Sequence, residues 1–395
     1  MQSDPFSPEL TLNPYPVYAE LRRSAPVCWT ERLQAWAVSR YEDVESVVGN
    51  PQLFSSAPFL KALLGEFNPA PEAPSLIALD PPEHMRMRRL ANKAFTPKMV
   101  AGLEPRVRAI AEGLLDGIKQ GGDFDFVRDF TVPLPVRVIA EMLGVEPERY
   151  LDFKRWSDDV IRPTGSPMSE EERVQSRQSV REFREYFERA IKERRSKPRA
   201  DLISGFIRAQ EEQQALTADE IMGLCVLLLI AGNETTTNLL GNTMVTLLRH
   251  PEDLAKVRAD RSLIPMLVEE IVRYESPVQS IVRQATRDTE IAGVKIPAKS
   301  LILMMYASAN RDERKFPEPD RFDLIRNPQD HFGFGAGIHY CLGAPLARME
   351  ARVAIDAVLS HFSQLTARYD EVRWTDSFVV RGPKALPLGC EIAKP

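Results

Sequence analysis

The residues with the clearest chemical potential lie in a glycine-rich stretch toward the C-terminal end of the chain. From His331 the sequence reads HFGFGAGIHYCLGAPLARMEARVAIDAVL, which places Gly333, Gly335 and Gly337 before Cys341 and an amphipathic helical pattern after it. Glycines permit a tight loop with positive φ angles and the close approach of a flat ligand. The thiol is then at a helix N-terminus, where free amides and the helix dipole favour a thiolate.

A thiolate in this setting can bind a soft metal, attack an electrophile or ligate haem iron. Attack on an electrophile requires a base, and His339 is two residues away. A lone cysteine in a glycine turn is most simply structural, but the pattern FxxGxHxCxG is far more specific than a lone cysteine. The other cysteines, Cys28, Cys225 and Cys390, have no metal-ligand spacing, and so few cysteines favour a reducing cytoplasm.

A second candidate region interrupts a long apolar helix. Thr217 and Glu220 predict a capping box at its start, and the apolar run IMGLCVLLLIAG is followed by NETTT. That run is shorter than the ~20 residues that a membrane span needs, so a buried helix is expected. Glycine and threonine lower helix propensity, which favours a function for Gly232, Glu234 and Thr235. The alternative is an ordinary helix with back-bonded threonines.

Two charged motifs lie on other predicted helices. The motif Asp80-Pro-Pro-Glu predicts a helix start capped by Asp80. His84 and Arg88 follow four residues apart and share one helix face, which could bind an anion or form a solvated basic surface. Glu270 and Arg273 are three apart, and an isolated surface pair of this kind contributes little stability.

The elements that must position these residues are mostly helical. Helical periodicity covers 83–95, 99–119, 134–143, 147–160, 169–195, 217–249 and 263–275. Strands are predicted at 26–30, 35–39 and 301–306, so the first and last quarters of the chain are expected to share a small sheet. The segments 55–79 and 161–168 lack regular periodicity, and their apolar side chains are expected to cover the core or a ligand.

The composition excludes several classes of protein. The chain has 395 residues with 51 basic and 56 acidic side chains, a net charge of −5, which argues against a nucleic-acid wrapper or a polybasic membrane binder. Hydrophobic residues make up 44% and charged residues 27%, as in globular proteins. The 31 prolines do not collect into a linker, so a single domain over 1–395 is expected. The N-terminus shows no signal peptide or anchor pattern.

The cysteine loop resembles the haem-binding signature of the cytochrome P-450 superfamily. The matching residues are Phe334, Gly337, His339, Cys341 and Gly343. The resemblance implies a mainly α (α+β) fold, a triangular helical prism with a small β-sheet subdomain. It also implies haem b with Cys341 as axial ligand, and Phe334 and Gly335 at the sulfur side of the haem. Two variable positions depart mildly: Ala336 stands where His is frequent, and Tyr340 where Phe is common.

The interrupted helix resembles the AGxET box of the same family. The resemblance implies that Gly232, next to Ala231, has no side chain so that dioxygen can fit. One backbone hydrogen bond of the helix is expected to be open at this point. Thr235 hydrogen-bonds the bound oxygen, and Glu234 relays protons toward it. This pair favours a dioxygen-using monooxygenase over the alternative of a peroxide-driven or rearranging relative. A non-catalytic binding relative is a further alternative, but such relatives lose the cysteine.

The charged motifs also match the family. The resemblance assigns four donors to the haem propionates: His84, Arg88, Arg283 and His339. Glu270 and Arg273 match the family's ExxR, with Arg321 of PDRF as the third member of a buried ion network. That network is expected to be structural, and to hold the side of the fold that carries the cysteine loop.

The resemblance covers nearly the whole chain and is closest to soluble bacterial members that act on polyketides, macrolides, fatty acids, steroids or terpenoids. An apolar or amphipathic substrate that is hydroxylated or epoxidised is therefore expected. By family mapping its pocket is lined by Phe59, Leu60, Leu63, Phe67, Leu228, Ala231, Val278, Ile281, Phe378 and Val379. The protein is expected to be a cytoplasmic monomer.

Because the chain ends soon after Cys341, no reductase domain is expected within it. Electrons from NAD(P)H are then expected to arrive through a separate ferredoxin reductase and ferredoxin. An acidic ferredoxin would dock on a basic patch, which is predicted from Arg86, Arg89, Lys93, Lys98, Arg348 and Arg352.

Overall fold

Most residues of the protein lie in helices. The computed structural model describes residues 12–118, 122–162, 168–211 and 214–393. The helices are α1 Tyr15–Ser24, α2 Tyr41–Val48, α3 Phe59–Leu64, α4 Glu83–Ala94, α5 Pro97–Leu115, α6 Pro133–Met142, α7 Tyr150–Ile161, α8 Glu170–Ser196, α9 Leu202–Arg208, α10 Ala218–Arg249, α11 Pro251–Ala259, α12 Ile264–Tyr274, α13 Tyr306–Ala309 and α14 Ala344–His361. All seven helices predicted from periodicity are present, as α4 to α8, α10 and α12.

The strands form small sheets at the edge of the helical body. They are β1 Val27–Thr30, β2 Ala35–Val38, β3 Phe54–Ser55, β4 Asp123–Asp125, β5 Gln210–Glu211, β6 Gln214–Ala215, β7 Ile281–Ala285, β8 Thr289–Ile291, β9 Val294–Ile296, β10 Leu301–Met304, β11 Phe362–Ala367 and β12 Pro387–Ile392. The largest sheet has the order β1-β2-β10-β7-β3. Its β2 and β10 pair in parallel, with Ala35 opposite Leu301, so the predicted sheet between the first and last quarters is confirmed.

Helix α10 crosses the core and packs against α6, α8, α12 and α14. Its capping box is confirmed: the Thr217 side chain accepts a hydrogen bond from the Glu220 amide, and the Glu220 carboxylate accepts one from the Thr217 amide. By length and composition α10 could cross a bilayer, but 67% of its most apolar window is buried inside the protein. It is the core helix that the apolar run predicts.

The start of α4 differs from the prediction. The helix begins at Glu83, and no side chain caps it. The Asp80 carboxylate instead accepts hydrogen bonds from the Ser55 hydroxyl at 2.5 Å and the Ser56 amide at 2.8 Å. Asp80 therefore joins the end of β3 to α4, a long-range contact that competes successfully with the local cap.

The segment 55–79 is more ordered than its sequence predicts. It contains α3 and short 3₁₀ turns at 65–67 and 76–78, and it lies directly on α10. A Cβ atom at Gly223 would stand 2.0 Å from the Pro74 carbonyl oxygen, so only glycine allows this approach. Of the other irregular segment, 161–168, residues 163–167 lie outside the described residues.

Candidate active site

The cysteine loop is a compact turn held by its own backbone. A 3₁₀ turn at 332–334 is followed by Gly335 and Gly337 with φ of +68° and +62°, angles that L side chains rarely adopt. The Cys341 amide donates to the Phe334 carbonyl at 2.8 Å, which closes the loop. A Cβ atom at Gly333 would meet a Val272 methyl at 2.1 Å, so α12 packs directly on this turn.

The thiol of Cys341 lies just before α14. Burial raises its pKa, and the Gly343 amide, Arg88, Arg348 and the Ala344 amide offset part of that effect. The predicted helix-terminus effect is therefore present, but it is smaller than the cost of burying a charge in the protein alone. A bound metal would reverse this balance, because a coordinating thiol is deprotonated.

His339 is not placed to activate that thiol. Its Nε2 atom lies 3.0 Å from the Ser56 hydroxyl oxygen, and its ring contacts the His84 ring in a tilted arrangement, with centroids 4.3 Å apart and an angle of 51° between the planes. The structure therefore does not favour a cysteine nucleophile with His339 as base, one of the alternatives left open above.

Four basic side chains converge beside the loop: His84, Arg88, Arg283 and His339. Burial and the neighbouring cations lower the pKa of His84, and lower that of His339 to about 3. Both His84 nitrogens are buried and have no hydrogen-bond partner among the described residues. A buried cluster of donors with mutual repulsion is stabilised by an anionic ligand that accepts those hydrogen bonds.

This donor set fits the two carboxylates of a haem. Arg283 is buried and donates only to the neighbouring Val282 carbonyl among the described bonds, at 2.9 Å. The charge of Cys341 also influences the pKa of Arg88, so the cluster and the thiol share one site. The four predicted propionate donors are therefore brought together, and the predicted thiolate ligand lies beside them.

The predicted oxygen-activating residues lie in the middle of α10, which runs through them without a break. The Thr235 hydroxyl donates to the Ala231 carbonyl at 2.6 Å, the back-bonding that ordinary helices also show. A Cβ atom at Gly232 would stand 2.8 Å from Ile139 of α6. A side chain at Gly232 would therefore press on Ile139, and glycine relieves the packing of α10 on α6. The role of Gly232 in leaving room for dioxygen stays a prediction, and the neighbouring Ala231 is exposed.

Helix α7 lies against this part of α10 and supplies polar neighbours that the sequence did not indicate. The buried Asn233 side chain donates to the Ser157 hydroxyl at 2.9 Å. The pKa of Glu234 is raised to about 7. Burial is the main cause, the charge of Asp158 adds to it, and the charge of Lys154 lowers the pKa. Lys154 and Asp158 are themselves an ion pair one turn apart. Glu234 is therefore a carboxyl group that titrates close to neutrality.

The predicted pocket residues fall into three sets: those in or against one apolar cluster, those against a second cluster, and those in neither. One buried apolar cluster includes Phe59, Leu60 and Leu228, with Leu63, Ile281 and Cys341 packed against it. Val278 and Ile281 also pack against a second cluster around the main sheet. Phe67 and Val379 are buried and Phe378 is half-buried, but none of the three belongs to either cluster.

The ion network at Glu270 corrects one prediction. Arg273 binds both carboxylate oxygens of Glu270, at 2.8 and 2.9 Å, and neither side chain is exposed to solvent. The third member of the network is Arg326, whose Nε atom lies 3.2 Å from the Glu270 carboxylate. The Arg321 side chain is 60% exposed and pairs with Asp323; only its backbone carbonyl faces the network. The PDRF motif favoured Arg321, but motif and spacing cannot decide between two arginines that both follow the helix by about fifty residues.

This difference predicts unequal stabilities for two arginine-to-alanine variants. Arg326→Ala leaves part of a buried carboxylate unpaired and is expected to cost about 2–3 kcal/mol in the free energy of unfolding. The control Arg321→Ala removes an exposed pair and is expected to cost less than about 0.5 kcal/mol. Urea denaturation of both variants measures this; equal losses would mean that Arg321 belongs to the network after all.

The predicted basic patch is partly neutralised. Arg86 forms an ion pair with Glu220, Arg348 with Glu269 at 2.5 Å, and Arg352 with Glu104. Arg89, Lys93 and Lys98 are exposed on α4 and at the start of α5. Acids from other helices therefore neutralise part of the predicted patch, at Arg86, Arg348 and Arg352.

Comparison with known proteins agrees with this architecture. The cytochrome P450 family model matches residues 18–387. Cytochrome P450 CYP109Q5 from Chondromyces apiculatus superposes with a TM-score of 0.93 at 45% identity, and the match covers 100% of both chains. CYP109E1 from Bacillus megaterium, solved with corticosterone, has a TM-score of 0.87 at 38% identity over 96% of this chain and 99% of that chain. The 6-deoxyerythronolide B hydroxylase of Saccharopolyspora erythraea is 37% identical over 95% of both proteins.

The fold and the site define a haem-thiolate oxygenase. The chain belongs to the cytochrome P450 family, whose model spans most of its length. The predicted fold class and enzyme class, a mainly helical P450 fold and a P450 monooxygenase, are confirmed by the match to solved members. Haem bound through a cysteine thiolate follows from membership of the family.

Proposed function

We propose that this protein is a dioxygen-dependent monooxygenase that hydroxylates or epoxidises a large apolar or amphipathic substrate. The observation that carries the proposal is the convergence of four basic donors beside the loop of Cys341; His84 and Arg283 are buried, Arg88 and His339 are half-buried, and the His84 nitrogens have no hydrogen-bond partner among the described residues. Cys341 would ligate the iron, and His84, Arg88, Arg283 and His339 would hold the propionates. When bound, the haem would supply the site at which dioxygen binds and is reduced with two electrons from the partner protein, and the sulfur ligand would favour O–O cleavage.

The residues of α10 would manage the protons. Thr235 Oγ1, which now donates to the Ala231 carbonyl, would be free after rotation to hold a water molecule beside the exposed Ala231. Glu234 would bring protons from the surface, since its pKa of about 7 allows it both to give and to take a proton at neutral pH. This pair supports dioxygen use over the peroxide-driven alternative, which needs no such relay.

The substrate class is inferred from the lining and from relatives. The side chains assigned to the pocket are apolar, which is the norm for sites that take hydrophobic ligands. One relative is named for hydroxylation of 6-deoxyerythronolide B, and another was solved with corticosterone. A macrolide-like or steroid-like substrate is therefore the first class to test, followed by fatty acids.

Electrons would come from NAD(P)H through a separate ferredoxin reductase and ferredoxin in the cytoplasm. The exposed Arg89, Lys93 and Lys98 support docking of an acidic ferredoxin on the surface formed by α4 and the start of α5. Arg86, Arg348 and Arg352 form ion pairs within this protein and are therefore less available to a partner.

A substrate panel tests the proposed reaction. Testosterone, 6-deoxyerythronolide B and palmitoleic acid are each added to the haem-loaded protein, and at least one is expected to shift the iron from low to high spin. With ferredoxin, its reductase and ¹⁸O₂, that compound should gain one labelled oxygen atom. Products formed only with added hydrogen peroxide, or oxygen derived from water, would contradict a dioxygen-dependent monooxygenase.

The pKa of Glu234 predicts a pH dependence. Because the pKa is raised to about 7, the carboxyl is protonated below that pH and ionised above it. Turnover limited by proton delivery is therefore expected to fall as pH rises through 7. Glu234→Gln should lose this dependence and about a hundredfold in rate, measured as product formation with saturating ferredoxin.

Two neighbours on α7 supply the matched controls for that profile. Asp158→Asn removes a charge that raises the pKa of Glu234, so the fall should move to lower pH. Lys154→Met removes a charge that lowers it, so the fall should move to higher pH. Profiles that coincide in the wild type and both variants would exclude Glu234 as the titrating group.

A further inference from the structure

Two backbone segments that carry predicted pocket residues lie against each other, 275–281 and 378–383. The Gln279 amide donates to the Val379 carbonyl at 2.7 Å, and the Arg381 amide donates to the Pro277 carbonyl at 2.9 Å. Val278 and Val380 form an isolated antiparallel bridge between these bonds. The two segments therefore form one unit of the wall, although a hundred residues separate them in the chain.

Asn242 of α10 joins this unit to the helix that carries Thr235. Its side chain is completely buried, and its Nδ2 atom donates to the Glu275 carbonyl at 2.8 Å and to the Arg381 carbonyl at 3.0 Å. One side-chain amide thus satisfies a backbone acceptor in each segment. Buried carbonyls of this kind are costly to leave unpaired.

The same two residues are also tied through their side chains. Arg381 donates to the Glu275 carboxylate at 2.7 Å, and the Tyr15 hydroxyl donates to the same carboxylate at 2.9 Å. The ion pair holds the segments to each other, whereas Asn242 holds both to α10. These are separate constraints, because the asparagine contacts only the carbonyl oxygens.

The unit formed by segments 275–281 and 378–383 packs tightly against α10. A Cβ atom at Gly382 would stand 2.0 Å from Asn238 Oδ1, and one at Gly241 would stand 2.7 Å from the Pro383 ring. Glycine at both positions lets the second segment contact the helix directly. If the segments move when the hydrogen bonds of Asn242 are changed, they therefore move away from the helix, since closer approach is blocked.

We propose that Asn242 is a positioning residue that determines substrate specificity. It sets the distance between the helix that carries Ala231 and Thr235 and the wall that carries Val278, Ile281, Phe378 and Val379. The inference rests on the proposed function, because it assumes that this wall bounds the substrate site. Asn242 itself touches neither substrate nor cofactor.

The test compares two iron-binding probes of different size, imidazole and 4-phenylimidazole, in Asn242→Leu and the wild type. Leucine has the branching of asparagine but no donors. The affinity for imidazole should change less than twofold, while that for 4-phenylimidazole, whose ring reaches the wall, should change about fivefold. Hydrogen exchange at the Gln279 and Arg381 amides should become faster.

Thr243→Val is the matched control, because Thr243 is the next residue, is equally buried, and donates only within its own helix, to the Leu239 carbonyl at 2.7 Å. It should leave the affinity ratio and the exchange rates unchanged. If the leucine variant yields no folded protein, Asn242→Ala removes the same donors without bulk and carries the same comparison.

The outcomes separate this inference from the proposed function. An unchanged affinity ratio with unchanged exchange at both amides in the Asn242 variants would overturn the positioning role. Equal effects in Thr243→Val would also overturn it, since they would indicate general loosening of α10. A wild-type protein that shows no haem spectrum with either probe would contradict the proposed function, and the exchange rates would then still decide whether Asn242 holds the wall.

Discussion

Replacement of Cys341 by alanine is expected to abolish the red-shifted Soret band that reduced, thiolate-ligated haem shows with carbon monoxide. The thiol is the sulfur beside the donor cluster of His84, Arg88, Arg283 and His339. Without it no sulfur donates to the iron, and the band should move to the position seen with neutral ligands. The measurement is a carbon monoxide difference spectrum on protein reconstituted with haem.

Cys225→Ala is the control for that experiment. Cys225 is completely buried in α10, and burial strongly raises the pKa of its thiol, so it is an apolar side chain in practice. Its variant should keep the red-shifted band, with only a loss of stability. A band that persists in Cys341→Ala would refute Cys341 as the ligand, and a band lost in Cys225→Ala would show that the assay reports unfolding.

Replacement of Thr235 by alanine has the second largest expected effect. The variant should bind substrate as the wild type does, yet form product about tenfold more slowly and release most of its electrons as hydrogen peroxide. The physical reason is the position of Thr235 Oγ1, the hydroxyl at the exposed turn of α10 that bonds the Ala231 carbonyl. Without this hydroxyl, no group holds the acceptor of the proton from Glu234 in one position. Protons are then delivered to sites that lead to hydrogen peroxide as well as to product.

Two companion variants make the result specific. Thr235→Ser keeps the hydroxyl and should recover most of the coupling between electrons and product. Thr237→Ala removes a hydroxyl that donates to the Thr131 carbonyl at 3.0 Å, away from Ala231, and should leave peroxide release at the wild-type level. If Thr235→Ala forms product and peroxide in the wild-type ratio, Thr235 has no part in proton delivery.

The features that the sequence predicted well are local ones. The capping box of Thr217 and Glu220 joins residues three apart, which meet at any helix start whatever the rest of the chain does. The turn before Cys341 likewise depends on glycines within ten residues of it. The helices follow from a hydrophobic period that each segment carries in itself.

The features that the sequence mispredicted involve a choice between partners. Asp80 could cap its own helix or accept hydrogen bonds from Ser55 and Ser56, and it takes the second. Arg321 and Arg326 are equally eligible for Glu270 by type, and the fold directs only Arg326 into the buried site. Such choices depend on which side chains are buried together, and periodicity carries no information about that.

The sequence alone therefore determined the class of chemistry: a glycine loop that ends in Cys341, and a helix whose apolar pattern is interrupted by the polar Glu234 and Thr235. Tertiary structure decided how those parts are tuned. The near-neutral pKa of Glu234 depends on α7, and the attachment of the pocket wall to α10 depends on Asn242. The physical reason is that motif geometry is set within a few residues, whereas desolvation and hydrogen-bond partners are set only when distant segments pack together.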